Sequence, residues 1–254
     1  MGLDAGTLTM ALVVLLAITV GGALQRISGM GVGMIAAPTL SILLGPVAGV
    51  TISNVAAVMS AAILFALLHR HVDWARFVRL APLLVCGSFL GAWAVRSLEP
   101  HALEILLGAS VLVAIAAALG LQKRFTLTGN GAVFASGAVA GFMNTTAGVA
   151  GPALAVYAVA AKWDQKSWAA TLQPIFLLAN LTSLATKSLF GTAVPPDVDV
   201  PGLVWAVAVV AGPVGILLGS RVARSVDASK ARTLAVCLAG VGGTVALVRG
   251  LSGI

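Results

Sequence analysis

Gln25-Arg26-Ile27-Ser28-Gly29-Met30-Gly31-Val32-Gly33 breaks a strongly apolar sequence with polar residues followed by glycines. Asn144-Thr145-Thr146-Ala147-Gly148-Val149-Ala150-Gly151-Pro152 repeats the break in changed form. An ordinary membrane helix would continue here with leucine and valine. Glycine lets a backbone turn and lets a ligand approach it closely. A helix that restarts after such a break presents free N–H groups and a partial positive charge. The two stretches therefore predict an anion site built from two half-helix N-termini inside a membrane.

The surrounding composition fits that setting. The 254 residues are 59% hydrophobic and 9% charged with a mean hydropathy of +1.06, against roughly 25% charged residues in soluble domains. Apolar segments fall at about 7–25, 30–46, 48–69, 76–97, 102–121, 131–146, 148–161, 168–191, 202–223 and 231–250. The segments beside the glycine breaks are the shortest, so each pair reads as two thin spans or as a re-entrant hairpin. Asp4 and the lack of Lys or Arg ahead of Leu8–Leu24 give no secretory signal pattern, so this stretch is expected to stay on the protein.

The chain also repeats itself. A shift of 119 residues lays Gly22 on Gly141, Gly29 on Gly148 and Asn54 on Gln173. A shift of 128 lays Gly87 and Gly91 on Gly215 and Gly219, and Arg96-Ser97 on Arg224-Ser225. The reading is two transmembrane repeats of five segments, about 1–125 and 126–254, joined by a basic linker at Lys123-Arg124. An odd number of crossings per repeat inverts the second relative to the first. The expected fold is an all-α polytopic membrane protein with two inverted-topology repeats, each starting with a Gly-broken or re-entrant helix pair.

Alternating the loops between two sides puts Arg26, Arg70, Arg76, Arg79, Lys123, Arg124, Lys162, Lys166, Arg221, Arg224, Lys230 and Arg232 on one side. Only Arg96, Lys187 and Arg249 fall on the other. This asymmetry predicts a cell-membrane protein with both termini outside. It also accounts for the net charge of +7 without nucleic acid, because the basic residues are spread over several loops on one face. Trp74, Trp163, Trp168 and Trp205 lie near segment ends, as interfacial anchors do. Cys86 and Cys237 lie in apolar runs and read as packing residues, with no disulfide framework or metal site.

No acid sits at predicted membrane depth: Asp4, Asp73, Glu99, Glu104, Asp164, Asp197, Asp199 and Asp227 lie in loops or at segment ends. A carboxylate proton relay or sodium site has no candidate. No H-E-x-x-H is present, and His69, His71 and His101 sit at helix ends, so neither an enzyme nor a resident metal or other cofactor is expected. The Gly-x-Gly-x-Gly at 29–33 follows an apolar helix rather than a strand and is no dinucleotide loop. What remains at depth is neutral or positive, which suits a small dehydrated anion.

The candidate substrate-binding residues are Ser28, Gly29, Met30, Gly31 and Gly33 from the first loop. Asn144, Thr145, Thr146, Gly148 and Gly151 come from the second. Gly87/Gly91 and Gly215/Gly219 read instead as close-packing positions. Asn54 and Gln173 are repeat partners, and Gln173, Asn180 and Lys187 recur every seven residues on one helix stripe. That stripe should face the bundle interior. Lys187 either snorkels to the outer surface or attracts the anion. Arg26 is near the site if the first pair is a hairpin, and a loop residue if both segments span.

Together, these features resemble the TauE/SafE family, also called the sulfite exporter or toluene sulfonate uptake permease family. The residues that carry the resemblance are Gly29-Met-Gly-Val-Gly33 with Pro38 and Leu40, Gly148-Val-Ala-Gly-Pro152, the Gly-x-x-x-Gly segments followed by Arg96 and Arg224, and Lys187. Ala150 departs from the glycine-richer pattern. The resemblance implies transport, usually export, of small sulfur-containing anions such as sulfite, sulfoacetate or other organosulfonates. An anion channel and a transporter of another small anion, a metal ion or an uncharged solute are the alternatives. The expected partners are the anion and the bilayer, with a homo-oligomer left open.

Overall fold

A computed structural model of the chain describes residues 4–29, 31–118, 130–223 and 227–253. The described residues form nine α-helices and no strand. They are α1 (Ala5–Ser28), α2 (Gly33–Leu68), α3 (Trp74–Ser97), α4 (Pro100–Ala118), α5 (Asn130–Ala147), α6 (Gly151–Ala160), α7 (Gln165–Leu189), α8 (Gly202–Val222) and α9 (Ala228–Ser252). Six of them, α1, α2, α3, α7, α8 and α9, are long and apolar enough to cross a membrane.

The helix ends follow local chemistry. The side chains of Asp4, Asp73 and Asp164 accept from the amides of Thr7, Arg76 and Ser167, capping α1, α3 and α7. At the other end of α1, Gly29 takes φ 77° and its amide bonds the Gln25 carbonyl. Gly148 closes α5 with φ 71° and a bond to the Asn144 carbonyl. These left-handed turns, which favour glycine, fall at the two positions paired by the 119-residue shift.

Segments 30–46 and 48–69 of the sequence reading form one bent helix, α2. The bend is at Gly45 (φ 79°, ψ 162°), with Pro46 behind it. A Cβ on Gly49 would collide with the backbone of Leu40 and Ser41. In a straight helix residues 40 and 49 would stand about 13 Å apart, so the two arms fold back on each other. The first arm, 33–44, is about 18 Å long and α6 about 15 Å, each short of a hydrocarbon core of about 30 Å.

Helix pairing is reciprocal. The most extensive contacts join α1 to α8, α3 to α5, α4 to α9 and α2 to α7. Close backbone approach at glycines makes the first two pairs. A Cβ on Gly87 would meet the Ala138 carbonyl, on Gly91 the Phe142 carbonyl, and on Gly141 the Leu84 carbonyl. On the other pair, Gly215 meets the Thr19 carbonyl, Gly219 that of Ala23, and Gly22 that of Gly212. Adding 119 to residues 19, 22 and 23, and 128 to residues 84, 87 and 91, turns one set into the other.

One expectation is corrected. Cys86 and Cys237 are free and exposed on the outside of the bundle rather than packed within it. Lipid-facing positions are as apolar as core positions, so hydropathy cannot separate the two. Trp163 stacks edgewise with Tyr157 and Trp168, at centroid distances of 6.0 and 5.2 Å, and Arg76 lies 4.5 Å over its ring. It is part of an aromatic cluster. The linker at Lys123-Arg124 and the pair Arg224-Ser225 lie outside the described residues.

Candidate anion site at paired half-helix N-termini

The two glycine loops touch. A Cβ on Gly33 would overlap the Gly148 carbonyl oxygen, so only glycine lets α2 start against the turn that ends α5. A Cβ on Gly148 would in turn meet that of Ala37 at 2.8 Å. The N-termini of α2 and α6 thus meet beside α7. The Phe176 ring, at the middle of α7, lies against both loops: 3.6 Å from a Cβ position on Gly31 and 4.0 Å from one on Gly151. Gly31 and Gly151 are partly exposed while Gly33, Gly148 and Phe176 are buried. Ala150 and Gly151 donate no backbone hydrogen bond to a described residue, which leaves their amides at a positive helix end.

Polar side chains tie this junction to α7 in a ladder. At its first rung the Gln25 amide nitrogen donates to Gln173 Oε1 at 3.4 Å, while Gln25 Oε1 accepts from the Val32 amide at 3.1 Å. Next, Asn144 donates to Asn180 Oδ1 at 3.1 Å, and Asn180 donates to the Phe176 carbonyl at 2.7 Å. Then Asn54 Nδ2 donates to Ser183 Oγ at 2.7 Å. At the last rung Lys187 Nζ donates to Thr51 Oγ1 at 3.3 Å. All eight side chains are buried, the seven amides and hydroxyls among them as such groups at membrane depth must be.

One acceptor in the ladder is unused. Asn54 Oδ1 is buried without a partner among the described residues and lies 3.7 Å from the Cβ position of Gly148. Because Ser183 carries a hydroxyl, it can donate as well as accept. Turning the Asn54 amide over would let Ser183 bond Oδ1 and aim the amide N–H groups at the loop. The site can therefore offer either polarity at this point.

Of the sequence candidates, the structure gathers Gly31, Gly33, Gly148, Gly151, Asn54, Asn144, Gln173 and Asn180 around the junction. Gly29 turns the chain toward it. Lys187 lies on the same stripe, two turns beyond Asn180, and is fully buried rather than snorkelling. Arg26 points elsewhere, its Nε donating to Ser220 Oγ of α8 at 3.0 Å. Thr145 presses its Cβ toward Gly91 of α3, and the Thr146 hydroxyl returns to the Phe142 carbonyl. Met30 and the Ser28 side chain lie outside the described residues.

Gln25, Thr51, Phe176 and Ser183 were not among the candidates. Gln25 had a signal, since the 119-residue shift lays it on Asn144. Phe176 and Ser183 continue the stripe of Gln173, Asn180 and Lys187 at helical spacing. No individually curated protein and no solved structure matches the chain. A family model does match, over residues 14–246, and by that match the chain belongs to the sulfite exporter TauE/SafE family of membrane transporters.

Proposed function

We propose that this protein carries a small sulfur-containing anion, sulfite or an organosulfonate such as sulfoacetate, out across the cell membrane. The anion is held between the N-termini of α2 and α6, against the edge of Phe176. The observation that carries the reading is the contact of Gly33 with Gly148. It brings two helix N-termini to one point at mid-depth of α7. Each brings about half a positive charge to a mostly buried place, and α6 adds the open amides of Ala150 and Gly151. Asn54 supplies a further donor when its amide turns over.

Two inverted repeats, about 1–125 and 126–254, would give this site its alternating access by rocking one against the other. The reading is supported by the matched glycine contacts of α1 with α8 and of α5 with α3, since a two-fold relation requires each contact to recur with its partners exchanged. Both termini are assigned to the outer side from the distribution of Lys and Arg. The driving force is the membrane potential on the anion itself, about 2.3 kcal/mol per charge per 100 mV.

Efflux from proteoliposomes tests the proposal, with sulfite, thiosulfate, sulfoacetate, taurine and a carboxylate analogue as substrates. Export of a sulfur oxyanion that follows an imposed potential and ignores a pH gradient alone is the expected result. Flux that follows only the proton gradient overturns the driving force, and no flux of any sulfur anion overturns the substrate class. Single-channel currents would show a channel instead.

A further inference from the structure

The last rung of the α7 ladder ends in a buried amine with no acid beside it. Lys187 is 0% exposed, and its one polar side-chain partner among the described residues is the Thr51 hydroxyl. Thr51 donates its own hydroxyl hydrogen to the Val47 carbonyl in a hydrogen bond of 2.8 Å, so it acts on Lys187 as an acceptor only. The acids toward the same end of the bundle are committed or remote. Glu104 pairs with Arg249 at 3.4 Å and Glu99 with His101 at 2.8 Å. Asp197 and Asp199 are exposed in the loop after α7. A buried ammonium is stable only when paired, and an ionisable residue at membrane depth marks a function.

We propose that Lys187 and Thr51 form a second anion station, separate from the glycine loops, which receives the same small oxyanion on its way to the far side. An ammonium has three donors. One is taken by Thr51, leaving two for the oxygens of a sulfite or sulfonate. The two stations are joined by the Asn54–Ser183 rung: Ser183 is one turn before Lys187, and Asn54 one turn after Thr51. Seven residues of helix put Lys187 about 10 Å beyond Asn180, too far for one small anion to touch both. The loops reach partial exposure at Gly31 and Gly151 while Lys187 is sealed. The backbone at Lys187 is held at the end of α7, where the Thr192 amide donates to the Lys187 carbonyl at 2.8 Å.

The station rests on the transport reading and makes a separate claim. Purified protein is tested with sulfite in two ways, equilibrium binding in detergent and potential-driven flux in proteoliposomes. Lys187→Met should fold, because an apolar chain of similar length replaces a buried amine that no acid balances. It should keep the sulfite Kd within about threefold, since the loops are intact, while flux falls about tenfold or more. Lys187→Arg should recover much of the flux, and Thr51→Val should lower it with Lys187 still in place. Unchanged flux in Lys187→Met overturns the second station. So does loss of binding as complete as in Gly151→Leu, which would put Lys187 inside a single site. If Lys187→Met does not fold, unchanged flux in Thr51→Val overturns it. A wild-type protein that neither binds nor moves sulfite overturns the transport reading as well.

Discussion

At the scale of single residues, the junction depends on atoms that are missing. Gly33→Ala puts a methyl group onto the Gly148 carbonyl, a backbone that cannot rotate aside. We expect a loss of about 1–3 kcal/mol, measured as a lower melting temperature of the purified protein, with flux reduced further than stability. Asn54→Asp tests the polarity of the site in the other direction. It fixes an acceptor facing Gly148, and sulfite binding should weaken by about tenfold or more, some 1.4 kcal/mol. Asn54→Ser, which keeps a hydroxyl donor, should lose less in the same binding assay.

How far such residues could be read in advance depended on their chemistry. Glycine beside asparagine or threonine is improbable in a lipid-spanning run, so both loops stood out, and the 119-residue shift paired them. The stripe on α7 was visible because Gln173, Asn180 and Lys187 repeat at helical spacing. Which residue each of them meets was not visible, because Gln25, Asn144, Asn54 and Thr51 reach α7 only through the rotation of three other helices. The burial of Lys187 was left open for the same reason. A lysine near the end of a span can reach the surface or turn inward, and its bond to Thr51 on α2 shows that it turns inward.

At the scale of elements, the bend in α2 sets the depth of the first half-helix. Gly45 has open space around it, so a methyl group there meets nothing within 4 Å. Its backbone conformation is nevertheless one that other residues avoid. Gly45→Ala should therefore cost about 1–3 kcal/mol through strain alone. Gly49→Ala has an ordinary backbone and should fail through collision with Leu40 and Ser41. Comparing the melting temperatures of both with that of Ala48→Gly, which adds no atom, separates the bend from general weakening. The sequence reading placed the break between residues 46 and 48 by hydropathy, which dips over several residues and cannot choose one peptide.

At the scale of the whole molecule, the assigned orientation is open to direct labelling. A single cysteine at Lys162, in a background lacking Cys86 and Cys237, should react with an impermeant maleimide only from the cytoplasmic side. One at Asp197 should react only from outside. Reversal of both patterns would reverse the orientation, and reaction of both from one side would rule out the topology. Removing the two native cysteines should cost little, because both side chains face outward from the bundle.

The reciprocal pairing of α1 with α8 also has a consequence for how the chain is made. Their glycine faces are complementary, yet α8 begins about 175 residues after α1 ends, roughly ten to thirty-five seconds later at 5–20 residues per second. Throughout that interval α1 is inserted with Gly22 facing lipid or a temporary neighbour. α5, by contrast, finds α3 already in place when it emerges. The two matched interfaces therefore form at opposite ends of biosynthesis. A bulky residue at Gly141 should disturb assembly early, while the same change at Gly22 should go unnoticed until the chain is nearly complete.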